Sequence, residues 1–155
     1  MKNFGFILLF LASIFVTSCG SSGSSLKKED AQKEEESQLW KDVLAVHDEV
    51  MPKMATLNKL QRELKQISEK KKATVDPAKF ENVAKAVQKL EQADDAMMEW
   101  MQGFQQLEAL QESQTHEQIL NYLKDKKTAI KSIQKKMNDA IEDGQKLLDG
   151  FVQER

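Results

Sequence analysis

Two short stretches of this chain hold most of the side chains that could do chemistry. VHDEVMPKM, residues 46–54, sets His47, Met51 and Met54 at i, i+4 and i+7, along one side of a helix. AMMEWM, residues 96–101, sets Met97 and Met101 one turn apart with Trp100 beside them. An imidazole and several thioethers brought to one level would suit a soft metal such as Cu(I). The same residues also suit a plain core, because methionines fill irregular gaps. Pro52 supplies a reason for a gap. A proline inside a helix removes the bond to the carbonyl four residues back, here that of Asp48, and clashes with it, at about 3 kcal/mol. Met51, Met54 and Met101 would then fill the kink and Trp100 would cap it. His47 would donate to a freed carbonyl or to Asp94 or Asp95. The core reading is preferred; a small-ligand or copper pocket at the His47/Met51/Met101 level is its alternative.

Other site chemistry finds less support. A di-iron carboxylate bundle needs Glu-x-x-His on two helices, and this chain has none. Neither G-x-S-x-G nor a phosphate-cradling loop is present. His116 falls in the first turn of a helix and is expected to be exposed. Asp48-Glu49 and Asp94-Asp95 are adjacent pairs, which point different ways on a helix and make poor cation sites. The sequence is therefore expected to be no enzyme and to need no cofactor or metal.

The single cysteine has a different chemistry. The chain opens MKNFGFILLFLASIFVTSCGSSGSS, with Lys2 ahead of an apolar run from Phe4 to Val16. That layout is a secretory signal peptide. A run of about 13 residues is too short to span a bilayer, which takes about 20. Val16-Thr17-Ser18-Cys19 resembles the lipobox that bacterial lipoproteins present to lipoprotein signal peptidase. The resemblance implies a diacylglyceryl group on Cys19, cleavage after residue 18 and acylation of the new amine. Two or three acyl chains anchor a protein almost irreversibly, at roughly 0.8 kcal/mol per buried CH₂. Gly20 rather than Asp after the cysteine implies, by the same resemblance, sorting to the outer membrane. Without a second cysteine no disulfide can form within the chain.

Behind the signal, residues 19–38 read as a flexible, charged tether. GSSGSS cannot fold by itself, and LKKEDAQKEEESQ, short of apolar residues, reads as a frayed helical lead-in solvated on all sides. Residues 39–155 read as three helices. The first has an apolar stripe at Trp40, Val43, His47, Val50, Met54, Leu57, Leu60 or Gln61, Leu64 and Ile67. The second carries Phe80, Val83, Val87, Leu90, Ala93, Met97, Trp100, Phe104 and Leu107, behind an Asp76 cap with Pro77 in the first helical position. The third opens on Thr115 and Gln118, a capping-box pair, and carries Ile119, Leu123, Ile130, Ile133, Met137, Ile141, Leu147 or Leu148, and Phe151.

Short connections make sequence neighbours antiparallel. The expected fold is all-α, an elongated, coiled-coil-like antiparallel three-helix bundle. An extended hairpin that completes its core as a homodimer is the alternative, since the stripes hold near a 3.5 period. The formal charge is −2 with the two signs interspersed, so nucleic acid is not an expected partner.

VHDEVMPKM, ADDAMMEWM and the THEQILNYL helix start together resemble a family of small lipoproteins from Bacteroidetes-type bacteria, whose members are sometimes mislabelled "viral A-type inclusion protein". The resemblance covers most of residues 39–135. It implies a cell-envelope lipoprotein and assigns no catalytic residue. The expected function is that of an outer-membrane-anchored structural or protein-binding helical module, docking a partner through an exposed apolar strip.

Overall fold

The computed structural model describes residues 22–71 and 76–153. The signal peptide (1–18), Cys19 and the first residues of the expected tether lie outside them. The described residues form five helices and no strand: α1 Ser22–Val50, α2 Lys53–Lys71, α3 Pro77–Gln102, α4 Leu107–Ser113 and α5 His116–Gln153.

Cross-helix polar pairs fix the directions. Lys127 pairs with Asp42 at 2.8 Å and Lys53 with Asn138 at 2.8 Å, so the α1/α2 rod runs parallel to α5. Lys65 meets Glu91 at 2.7 Å and Lys89 meets Asp143 at 2.6 Å, so α3 runs antiparallel to both. The result is an up-down-up three-helix bundle, with α4 continuing the middle rod. Its core is a single apolar column with Leu57, Leu64, Leu90, Met97, Leu123, Ile130 and Met137 all out of contact with water. Each such side chain stabilises the fold by roughly 1.5–3 kcal/mol of transfer free energy. Gly144 sits where three helices meet, and a Cβ there would make ordinary contacts, 3.4 Å from a Leu90 methyl and 3.6 Å from one of Leu64.

The two N-caps form as the sequence suggests. Asp76 Oδ1 accepts the Ala78 amide at 2.9 Å, with Pro77 next to it. The Thr115 amide donates to Gln118 Oε1 at 2.9 Å, and the Gln118 amide reaches back to Thr115 Oγ1 at 3.4 Å. That reciprocal pair satisfies two of the donors a helix start leaves open.

Three expectations need correction. First, helix α1 begins at Ser22, inside the stretch expected to be a flexible tether, and the lead-in that follows is continuous helix with Glu36 only 4% exposed rather than solvated. A helix already nucleated by a packed segment extends at little further expense, one bond per residue fixed. Second, Pro52 splits the first rod outright: α1 ends at Val50 and α2 starts at Lys53. The Met51 amide still reaches the His47 carbonyl at 2.9 Å, and the Met54 amide closes a tighter turn onto Met51 at 3.1 Å. Third, the middle rod does not run unbroken through Leu107. It stops at Gln102, and residues 103–106 are irregular before α4.

The two breaks have a joint effect. Below Pro52, α2 packs on α3 and α5; above it, α1 packs on α5 and α4, and its backbone does not touch that of α3. A wedge therefore opens between α1 and the end of α3, bounded by Pro52 and Gly103.

Candidate functional site

Aromatic rings fill that wedge. The His47 ring stacks on Trp100 with centroids 5.8 Å apart and planes at 24°. Trp100 stacks on Phe104 at 4.8 Å and 16°, and Phe104 on both Trp40, at 6.2 Å, and Tyr122, at 6.4 Å. These are the separations at which offset aromatic pairs attract beyond their area burial. The two short motifs thus meet, through His47 and Trp100. Trp100 also donates its indole N–H to the Lys126 carbonyl of α5 at 3.1 Å, tying all three rods together. The indole nitrogen of Trp40 is buried without a hydrogen-bond partner among the described residues.

The details differ from the expected pocket. His47 Nδ1 lies 2.9 Å from the Asp48 carboxylate, its own chain neighbour. It reaches neither Asp94 nor Asp95; Asp94 instead accepts from Asn58 at 3.4 Å. Met97 is fully buried, while Met51, Met54 and Met101 are half-buried against the core. Five clefts among the described residues run along the seams α5 makes with α3 and with α2; Trp100 lines one of them beside Gly103 and Lys126, while His47 and these four methionines line none of the five. Among the described residues, no group of three or more His, Cys, Asp or Glu side chains is placed to hold a metal ion.

Tyr122 organises the break in the middle rod. Its hydroxyl donates to the Gly103 carbonyl at 3.1 Å and accepts the Gln105 amide at 2.8 Å, replacing bonds a continuous helix would have made. Burial raises the Tyr122 pKa above the usual phenol value, opposed in part by the bond from Gln105. The sign follows. A phenol held neutral by the fold contributes stability at pH below its unfolded value, and that contribution is lost as pH rises toward the folded value. Tyr122 is the only tyrosine, so absorbance at the phenolate band reports it alone. Its titration should lie higher in the native chain than in urea, and alkaline loss of helix should follow it. A native titration below the unfolded one would contradict the burial of the Tyr122 ring, which raises it.

A second polar cluster was not legible as a site from the sequence. Glu36 of α1 accepts from Gln111 of α4 at 2.7 Å, and its other oxygen lies 2.8 Å from His116 Nδ1 at the start of α5. His116 Nε2 lies 3.4 Å from Glu35. His116 is therefore not the exposed residue expected: its side chain is 23% exposed and wedged against α1. The available signal was the stripe itself. Counting back seven residues from Val43 lands on Glu36, so a carboxylate at that core position required partners.

Taken together, the aromatic column and the Glu36 cluster brace the splayed half of the bundle. Neither a protein-family model, a curated protein nor a solved structure matches the chain.

Proposed function

We propose that this protein is a lipoprotein of the bacterial cell envelope, acylated on Cys19 and held at the outer membrane as a structural or protein-binding helical module. One observation carries the reading: Val16-Thr17-Ser18-Cys19 closes a signal-type apolar run and leads, within three residues, into α1. No helix among the described residues is long and apolar enough to cross a membrane, so the lipid on Cys19 is the anchor this reading requires. The exposed apolar strip expected for partner docking is not present among the described residues, where the exposed large hydrophobics are Leu26 and Met98 alone. Partner binding, on this reading, uses polar and charged helix faces. The copper alternative has no specific observation in its favour, since the His47 ring is engaged by Trp100 and Asp48.

The test is direct. Cys19→Ala in the native host should abolish labelling by a palmitate analogue and release the chain from carbonate-washed membranes. A parent chain that takes no label, or a Cys19→Ala variant that keeps it, would defeat the lipoprotein reading.

A further inference from the structure

We propose that the N-terminal end of α1 is a footing on an anionic phospholipid surface, with Leu26 entering the boundary between headgroups and acyl chains and Lys27 and Lys28 against the phosphates. The inference rests on the lipoprotein reading for the nearness of a membrane. It rests on the structure for the shape and chemistry of the end presented.

Helix α5 begins at the level of Glu35 and Glu36, where His116 meets both. The part of α1 ahead of that level therefore projects beyond the bundle, by about 20 Å at 1.5 Å per residue. Every residue from Ser25 to Glu35 other than Gln32 is exposed. Leu26 lies seven residues past Cys19, at most about 25 Å of chain even when fully extended. A lipid on Cys19 would thus hold this end at the membrane surface.

The side chains there are sorted along the helix axis. Leu26 is 61% exposed, the most exposed large apolar side chain described. Met98, the other, is 43% exposed and stands beside Asp95 and Glu99. Lys27 and Lys28 follow Leu26, both exposed, and neither forms an ion pair with another described residue. Beyond them the sign reverses: Glu29, Asp30, Glu34, Glu35 and Glu36 face a single lysine, Lys33, which Glu29 holds at 2.8 Å. An apolar tip, a basic collar and an acidic shaft are the order that lets a helix end enter an anionic interface while its shaft is repelled from it. One leucine and two lysines are too few to bind a membrane unaided. Tethering makes the contact intramolecular, and weak contacts then suffice.

The experiment uses residues 19–155, with Cys19, the only thiol, coupled to a maleimide lipid in vesicles. Leu26→Trp supplies a reporter, and the vesicles carry phospholipid brominated on the acyl chains. Trp40, fourteen residues further along α1 and about 21 Å higher, and Trp100 are the internal controls. On vesicles rich in phosphatidylglycerol, the emission added by Leu26→Trp should fall about twofold or more, while that of the tethered parent chain stays unchanged. Lys27→Glu with Lys28→Glu should remove the quenching and leave the far-UV spectrum intact.

An unquenched tryptophan at 26 on a tethered chain overturns the footing. So does equal quenching on purely zwitterionic vesicles, or quenching that survives the double charge reversal. The maleimide tether is made whether or not the cell acylates Cys19. Failure of the footing is thus told apart from failure of the lipoprotein reading, which the mass of the native chain's N-terminal peptide decides.

Discussion

Trp100→Ala should lower the unfolding free energy by about 3–5 kcal/mol, the range for truncating a buried tryptophan. The large figure follows from what the indole touches. It is 6% exposed, it lies between His47 and Phe104, and it donates to the Lys126 carbonyl. Removing it leaves a cavity in the half of the bundle where α1 and α3 do not touch through their backbones, so neighbouring atoms cannot easily close in. Trp100→Phe separates the contributions. It keeps a ring in the stack and loses the hydrogen bond, and should cost nearer 1 kcal/mol from that bond, plus the smaller packing. Met98→Ala, at an exposed position on the same helix, should stay within about 0.5 kcal/mol. Urea denaturation of the three variants measures all of this. A Trp100→Ala value no larger than that of Met98→Ala would mean the aromatic column contributes nothing.

The Glu36 cluster gives the second large effect, and its asymmetry is the informative part. His116→Ala should destabilise by about 1–3 kcal/mol, because a carboxylate 4% exposed loses a partner 2.8 Å away that water cannot readily replace. Glu36→Leu should be neutral or stabilising. It removes the buried charge altogether and places an apolar side chain on the core stripe, while the half-exposed Gln111 and His116 side chains turn to solvent. In a double-mutant cycle, His116→Ala should cost almost nothing once Glu36 is leucine. If Glu36→Leu alone is as harmful as His116→Ala, the carboxylate is a net source of stability and the desolvation argument fails here.

Much of the bundle was legible because its signals are periodic. Val43, Val50, Leu57 and Leu64 in the first rod, and Leu123, Ile130 and Met137 in the third, lie seven residues apart and are fully buried. The caps at Asp76 and Thr115 were legible because their chemistry is local. What escaped was set by tertiary contact. Gly103 gives no strong stop signal, with φ at −93°; the break is sustained by Tyr122, nineteen residues further on. The burial of Glu36 depends on His116, eighty residues away, which no local pattern contains. The His47 level was half legible. Its meeting with Trp100 was expected, with the indole capping the gap beside Pro52. The ring's partner was Asp48 rather than a carboxylate across the interface, because α1 swings away beyond Pro52.

The parallel pairing of α1 with α5 also bears on how the molecule is assembled. Helix α1 packs mainly on α5, at separations such as the 85 residues from Asp42 to Lys127, whereas α2 pairs with α3, and α3 with α5, through short connections. Closing a loop of that length is an entropic toll exacted before any contact repays it. Segment α2 to α5 should therefore condense first, with α1 docking late onto a surface already formed. The same order run backwards makes α1 the earliest part to come away. Its amide hydrogens from Glu36 to Val50 should exchange with solvent well ahead of those in the lower half of α5. A force applied through the N-terminus would then peel α1 from the bundle while the remaining helices stay folded.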